Sequence, residues 1–241
     1  MTWKIQIRLI EEPMKFKEKD RYTFQDLIDI LYILRGENGC PWDREQTHTS
    51  IRNNFIEEVY EAVEAIDTQN NALLREELGD VLLQVIFHAQ IAESEGAFNL
   101  QDVTTEECQK LIVRHPHIFG DTEAKTAETV LENWDAIKKK TKGQTSVSDS
   151  LEGVSPALPA PMRAIKLQKK AKDYYGNTKQ DSFVLIRDII HNDKKPLDRK
   201  TYGKLLFELC NAARIDGVDP EEALEKHNTA FIREIKSKEF C

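Results

Sequence analysis

Two short acidic stretches hold the chemistry this sequence can offer. FIEEVYEAVEAI (Phe55–Ile66) carries Glu57, Glu58, Glu61 and Glu64, and REELGD (Arg75–Asp80) adds Glu76, Glu77 and Asp80. On a helical wheel advancing about 100° per residue, Phe55, Val59, Ala62, Val63 and Ile66 form an apolar stripe bordered by Glu58, with Glu61 just outside it. Glu57 and Glu64 point away. In the following segment Leu74, Leu78, Val81, Leu82, Val85 and Ala89 form the stripe, and Glu77 and Asp80 take the angular places of Glu58 and Glu61. Two antiparallel helices of this pattern bring four carboxylates together at the edge of a shared core. Such a group repels itself unless some members take protons or a cation sits among them. From Asn53 to Gln109 there are 13 Asp and Glu but one Lys or Arg, Arg75, so pairs within the helices cannot neutralise it.

The donors are all oxygen, with no cysteine and no ExxH pair, which suits a hard ion, Mg2+ or Mn2+, better than zinc or a di-iron centre. His88 lies near the same face. It is about 16 Å beyond Glu77 along the axis, too far to share one ion, and reads as a packed, hydrogen-bonded histidine. Carboxylate-held Mg2+ serves phosphate chemistry, where it offsets phosphoryl charge and activates water. No Gly-rich phosphate loop is present, so side chains must hold the phosphates. QKLIVRHPHIF sets Lys110 and Arg114 one helical turn apart, and ENWDAIKKK does the same for Trp134 and Lys138. The first pair could hold a polyphosphate and Trp134 could stack on a base; taken alone, each reads as surface charge or core.

Helical periodicity dominates the elements that must position these groups, and no strand alternation is found, so the fold class is all-α. Helices are predicted over 24–34, 50–67, 72–94, 102–114 and 124–141. The Ser-, Gly- and Pro-rich stretch 142–160 reads as a linker, followed by helices over 161–175, 182–191, 198–215 and 220–237. Gly79–Ile91 (GDVLLQVIFHAQI) aligns without gaps to Gly203–Ile215 (GKLLFELCNAARI), which suggests tandem helical bundles with a worn second copy. The expected domains are therefore a 1–21 extension, a 22–141 catalytic unit, the 142–160 linker and a degenerate 161–241 unit.

At 241 residues with a formal charge of −8, the chain lacks the basic surface of a nucleic-acid binder. That charge is uneven, with 17 basic and 29 acidic side chains up to residue 160 against 17 and 13 beyond it. The four scattered cysteines form neither a disulfide framework nor a zinc motif. No apolar run approaches the roughly 20 residues of a membrane span, and the N-terminal stretch lacks a signal-peptide core, so a cytoplasmic protein is expected.

GCPWDREQTH, EEVYE, EELGDVLLQVIFHAQIA, RHPHIFGD and NWDAIKKK, in this order, resemble a MazG-type nucleoside triphosphate pyrophosphohydrolase from about Tyr22 to Lys142. The resemblance implies an all-α homodimer that cleaves nucleoside triphosphates to monophosphate and pyrophosphate with Mg2+. It implies metal ligands at Glu58, Glu61, Glu77 and Asp80; for hydrolysis by metal-activated water, Glu57 or Glu61 is the expected base that orients the water. Lys110, Arg114, Trp134 and Lys138 would contact triphosphate and nucleoside. CPWD would shape the pocket mouth, where Trp42 either stacks on substrate or packs against helix ends.

The second half departs from the family pattern: FVLIRDI and TYGK replace the acidic motifs, and Ala230 stands where arginine is expected after Lys226. Residues 161–241 are thus expected to act as scaffold and dimer partner. Two other readings remain at this stage. One is a non-catalytic nucleotide or alarmone sensor; the other, a di-metal oxidoreductase, is disfavoured by the missing ExxH motifs.

Overall fold

The computed structural model describes residues 16–122, 124, 126–141, 143–172, 178–192 and 197–239, and the expected 1–21 extension lies largely outside them. The described residues hold helices and no strand, as all-α periodicity requires. The chain divides into two compact units, up to Phe119 and from Gly120 on.

The first unit contains α1 (Phe24–Arg35), α2 (Pro41–Glu45), α3 (Arg52–Asp67), α4 (Asn71–Ser94), α5 (Leu100–Arg114) and α6 (Pro116–Phe119). Side-chain caps start three of them. Thr23 and Asp26 form a capping box on α1, Asn70 accepts from the Leu73 amide to start α4, and Asn99 and Asp102 box α5. α3 and α4 are joined by three residues. Gln69 takes a left-handed φ of 53°, and the amides of Gln69 and Asn70 close on the carbonyls of Ile66 and Ala65 at 3.1 and 2.9 Å. That Schellman turn reverses the chain and makes α3 and α4 antiparallel neighbours. Gly96, with φ 71°, ends α4 by the same device.

The core of this unit is Leu31 of α1, Ile51 and the C-terminal half of α4 through Ile86, Phe87 and Ile91, with Leu27, Ile28, Leu83 and Leu100 against it. Arg35 lies 4.7 Å over the Phe87 ring and donates from Nη1 to the Asp43 carbonyl at 2.6 Å, pinning the turn that carries α2. The N-terminal half of α4 meets α3 through small residues, Ala62 and Ala65.

The apolar stripes differ from the wheel reading. Val59 and Ile66 are 43% and 58% exposed, and Leu78 is 55% exposed, so the α3–α4 contact leaves these three uncovered, while Phe55 of the same stripe packs against His88 of α4. On α3 the buried positions are the small Ala62 and Ala65, and a wheel that ranks residues by hydrophobicity gives such small side chains less weight than the contact does.

The second unit contains α7 (Ala127–Thr141), α8 (Val147–Glu152), α9 (Ala160–Lys170), α10 (Lys179–Asn192), α11 (Arg199–Ile215) and α12 (Pro220–Glu239). The stretch that reads as a linker holds α8, capped by Ser146 and Asp149, with Ser150 and Val154 buried. α10 packs on α11, and α9 contacts α11, α8 and α12. Asn211 and Ser182, both 1% exposed, are joined by a 2.8 Å hydrogen bond between α11 and α10. Gly217, with φ 73°, ends α11 as Gly96 ends α4.

Candidate functional site

The α3–α4 turn sets the register of the site. Glu61 and Glu77 stand equally far in sequence from Gln69, and so do Glu58 and Asp80. In an antiparallel hairpin such positions meet. Glu58, Glu77 and Asp80 each offer an oxygen to a cluster whose ligand atoms all lie within 4.8 Å of one another, the one such group among the described residues.

Glu77 is 6% exposed, and one of its oxygens, Oε2, has no hydrogen-bond partner. Burial raises the Glu77 carboxyl above its ordinary value. The charge of Glu61 and a hydrogen bond to Glu61 raise it further, with smaller contributions from Asp80 and Glu76. Glu58 is raised by desolvation first, then by Asp80, Glu61 and Glu57. Two acids whose carboxyls are both raised above their ordinary value, one of them with a buried oxygen left over, form an electrostatically unsatisfied group. Its all-oxygen donor set fits a hard divalent cation.

The residues singled out in sequence fall as follows. Glu58, Glu77 and Asp80 come together, while Glu61 lies exposed at the rim and engages Glu77. Glu57 is exposed beside Glu58. Lys110 and Arg114 share α5, and the Lys110 ammonium is paired with Glu107. Trp42 is 58% exposed on α2. Trp134 and Lys138 lie on α7, in the second unit, with the Lys138 Nζ 4.7 Å over the Trp134 ring.

His48 was not singled out by sequence. It lies in the turn between α2 and α3, and its Nδ1 is 2.7 Å from that of His88 on α4. Only the hairpin register, which places His48 and His88 almost equidistant from the turn, signals the pair.

The MazG nucleotide pyrophosphohydrolase domain matches residues 46–119, which span the hairpin and its carboxylates. Over 222 residues the chain is 40% identical to the nucleoside triphosphate pyrophosphohydrolase/pyrophosphatase MazG of Thermotoga maritima, covering 90% of this chain and 85% of that one. The chain belongs to the MazG family. Another member of similar length, the nucleoside triphosphate pyrophosphohydrolase of Escherichia coli K12, is 37% identical over 226 residues, 88% of this chain and 86% of its own. The uncharacterized protein YabN of Bacillus subtilis is 40% identical over 231 residues, 92% of this chain but 47% of YabN. The MazG match ends at Phe119, where the first compact unit ends, and so leaves out Trp134 and Lys138.

Proposed function

We propose that this chain hydrolyses nucleoside triphosphates to the monophosphate and pyrophosphate at the α3–α4 hairpin, with Mg2+ as the physiological ion and Mn2+ as a substitute. Family membership and the names of its relatives support the reaction class. The observation that carries the site is the unpartnered, buried Oε2 of Glu77 inside a carboxylate cluster.

Glu58, Glu77 and Asp80 would hold the cation, with Glu61 turning from its hydrogen bond with Glu77 to join them. When bound, the ion supplies charge neutralisation for the phosphoryl oxygens and lowers the pKa of water. Glu57, beside Glu58 and open to solvent, is proposed to accept a proton from the attacking water.

Lys110 and Arg114 are proposed to grip the triphosphate. The Lys110–Glu107 pair is an exposed ion pair and therefore weak, so a polyphosphate of higher charge can take the ammonium from it. Trp134 and Lys138 are proposed for the nucleoside, and Trp42 for the mouth of the pocket. House-cleaning of the nucleotide pool is the proposed role.

We also infer a homodimer, because Val59, Val63 and Ile66 of α3 and Leu78 and Leu82 of α4 form an exposed apolar face beside the site. The second unit is proposed as a worn copy of the first that serves as scaffold: Lys200, Thr201 and Lys204 stand on α11 where α4 has Glu76, Glu77 and Asp80.

Pyrophosphate release from a panel of ribo- and deoxynucleoside triphosphates tests the proposal. Release that needs a divalent cation and is abolished by Glu58→Gln or Asp80→Asn is the expected result. Tight nucleotide binding without turnover would identify a sensor instead.

A further inference from the structure

We propose that His48 and His88 are a positioning pair that fixes the axial register of α3 against α4, and with it the spacing of the carboxylates; the inference rests on the proposed cation site. The two rings are parallel within 5°, with centroids 5.0 Å apart, and their Nδ1 atoms are joined at 2.7 Å. A contact that short between two ring nitrogens requires one N–H and one lone pair, and so one tautomer on each side. Phe55, on α3 about one helical turn before Glu58, packs against His88 with ring centroids 5.6 Å apart and the rings tilted by 44°.

His48 is not on a loose loop. The Thr47 amide donates to Ser50 Oγ at 2.9 Å, the Ser50 amide donates to Thr47 Oγ1 at 3.2 Å, and Ser50 Oγ donates to Gln46 Oε1 at 2.7 Å. Ile51, 2% exposed, then anchors this turn in the core directly before α3. His48 therefore moves with α3, and His88 moves with α4. The Gln69 turn closes one end of the hairpin and the histidine pair closes the other, with the carboxylates between them. A slip of one residue would shift the acids by about 1.5 Å, more than a catalytic geometry tolerates.

Among the described residues the charged group facing the pair is Glu95, at the end of α4, with Oε2 3.8 Å from His48 Nε2; the nearby ends of α1 and α4 also carry Arg35, which sits over Phe87, and Glu93, which accepts from the Tyr32 hydroxyl. Burial, and then the neighbouring His48, hold the His88 imidazole below its ordinary pKa. The N–H···N bond survives while the pair carries one positive charge or none. It is lost when both rings are charged, because both Nδ1 atoms are then donors.

The experiment uses the full-length chain with 15N-labelled histidine. A through-bond coupling between the two Nδ1 atoms at neutral pH, lost on acidification, is expected; its absence at neutral pH overturns the proposal. The double variant His48→Phe, His88→Phe keeps two flat rings but no N–H···N bond. It should lose about tenfold in kcat with KM nearly unchanged, and its acid limb should be shallower by one proton. His48→Asn alone, whose amide falls where Nδ1 was and does not titrate, should restore most of the kcat. An unchanged kcat and pH profile in the double Phe variant, or no rescue by Asn, overturns the proposal.

Should the wild-type chain release no pyrophosphate, the functional reading fails on its own. The pair is then decided by the ring coupling and by Mn2+ titration. The double Phe variant should bind Mn2+ about tenfold more weakly, and equal affinity rejects the positioning role.

Discussion

A buried carboxyl with an oxygen facing nothing costs stability unless something binds it, and Glu77 is in that position. Glu58 and Glu77 both have folded-state pKa values above the ordinary 4.5, so the fold keeps protons that the unfolded chain gives up. The stability these groups confer is complete below that value and is lost as pH rises through the raised values. Compared with Glu77→Gln, the metal-free protein should therefore lose melting temperature as pH rises from 4.5 to neutral. Added Mg2+ or Mn2+ should raise the melting temperature far more at neutral pH, where the acids have lost their protons. Calorimetry with and without chelator checks both statements. Glu77→Gln removes the repulsion along with the ligand: its melting temperature in chelator should rise while pyrophosphate release falls roughly hundredfold or more. A variant that loses activity and also melts lower in chelator would contradict this account.

At the scale of elements, the α3–α4 turn stores strain at one residue. Gln69 sits at φ 53°, where a Cβ is unfavourable, so Gln69→Gly should stabilise the protein by about 0.5–1 kcal/mol in denaturant titration. Ile86 is fully buried, and Ile86→Ala should cost about 2–5 kcal/mol and loosen α1 from α4. The long helices were legible because amphipathic repeats and caps such as Asn70 and the Asn99–Asp102 box mark them, and the carboxylate cluster followed from two acidic pairs on a short hairpin. The helices α2, α6 and α8 were not, since four to six residues give too little periodicity to read. The pairing of His48 with His88 was hidden because His48 lies off the helices and its partner is 40 residues away.

For the whole molecule, the exposed side chains of Val59, Val63, Ile66, Leu78 and Leu82 show the limit of pattern reading: periodicity identifies an apolar face but not what covers it. If a second copy covers it, sedimentation should give twice the 27.8 kDa of one chain, and Val63→Lys with Leu78→Lys should reduce that to one. A wild-type chain sedimenting as a monomer would remove the dimer from the proposal. The mirror placement of the acids about Gln69 also constrains how such a chain can vary. Surface connections ordinarily tolerate changes in length at small entropic cost. Here one residue inserted between Thr68 and Asn70 would shift every facing pair by about 1.5 Å and turn one helix by about 100° relative to the other. This three-residue connection is thus closed to insertion and deletion, and it is a poor place to graft a tag or epitope.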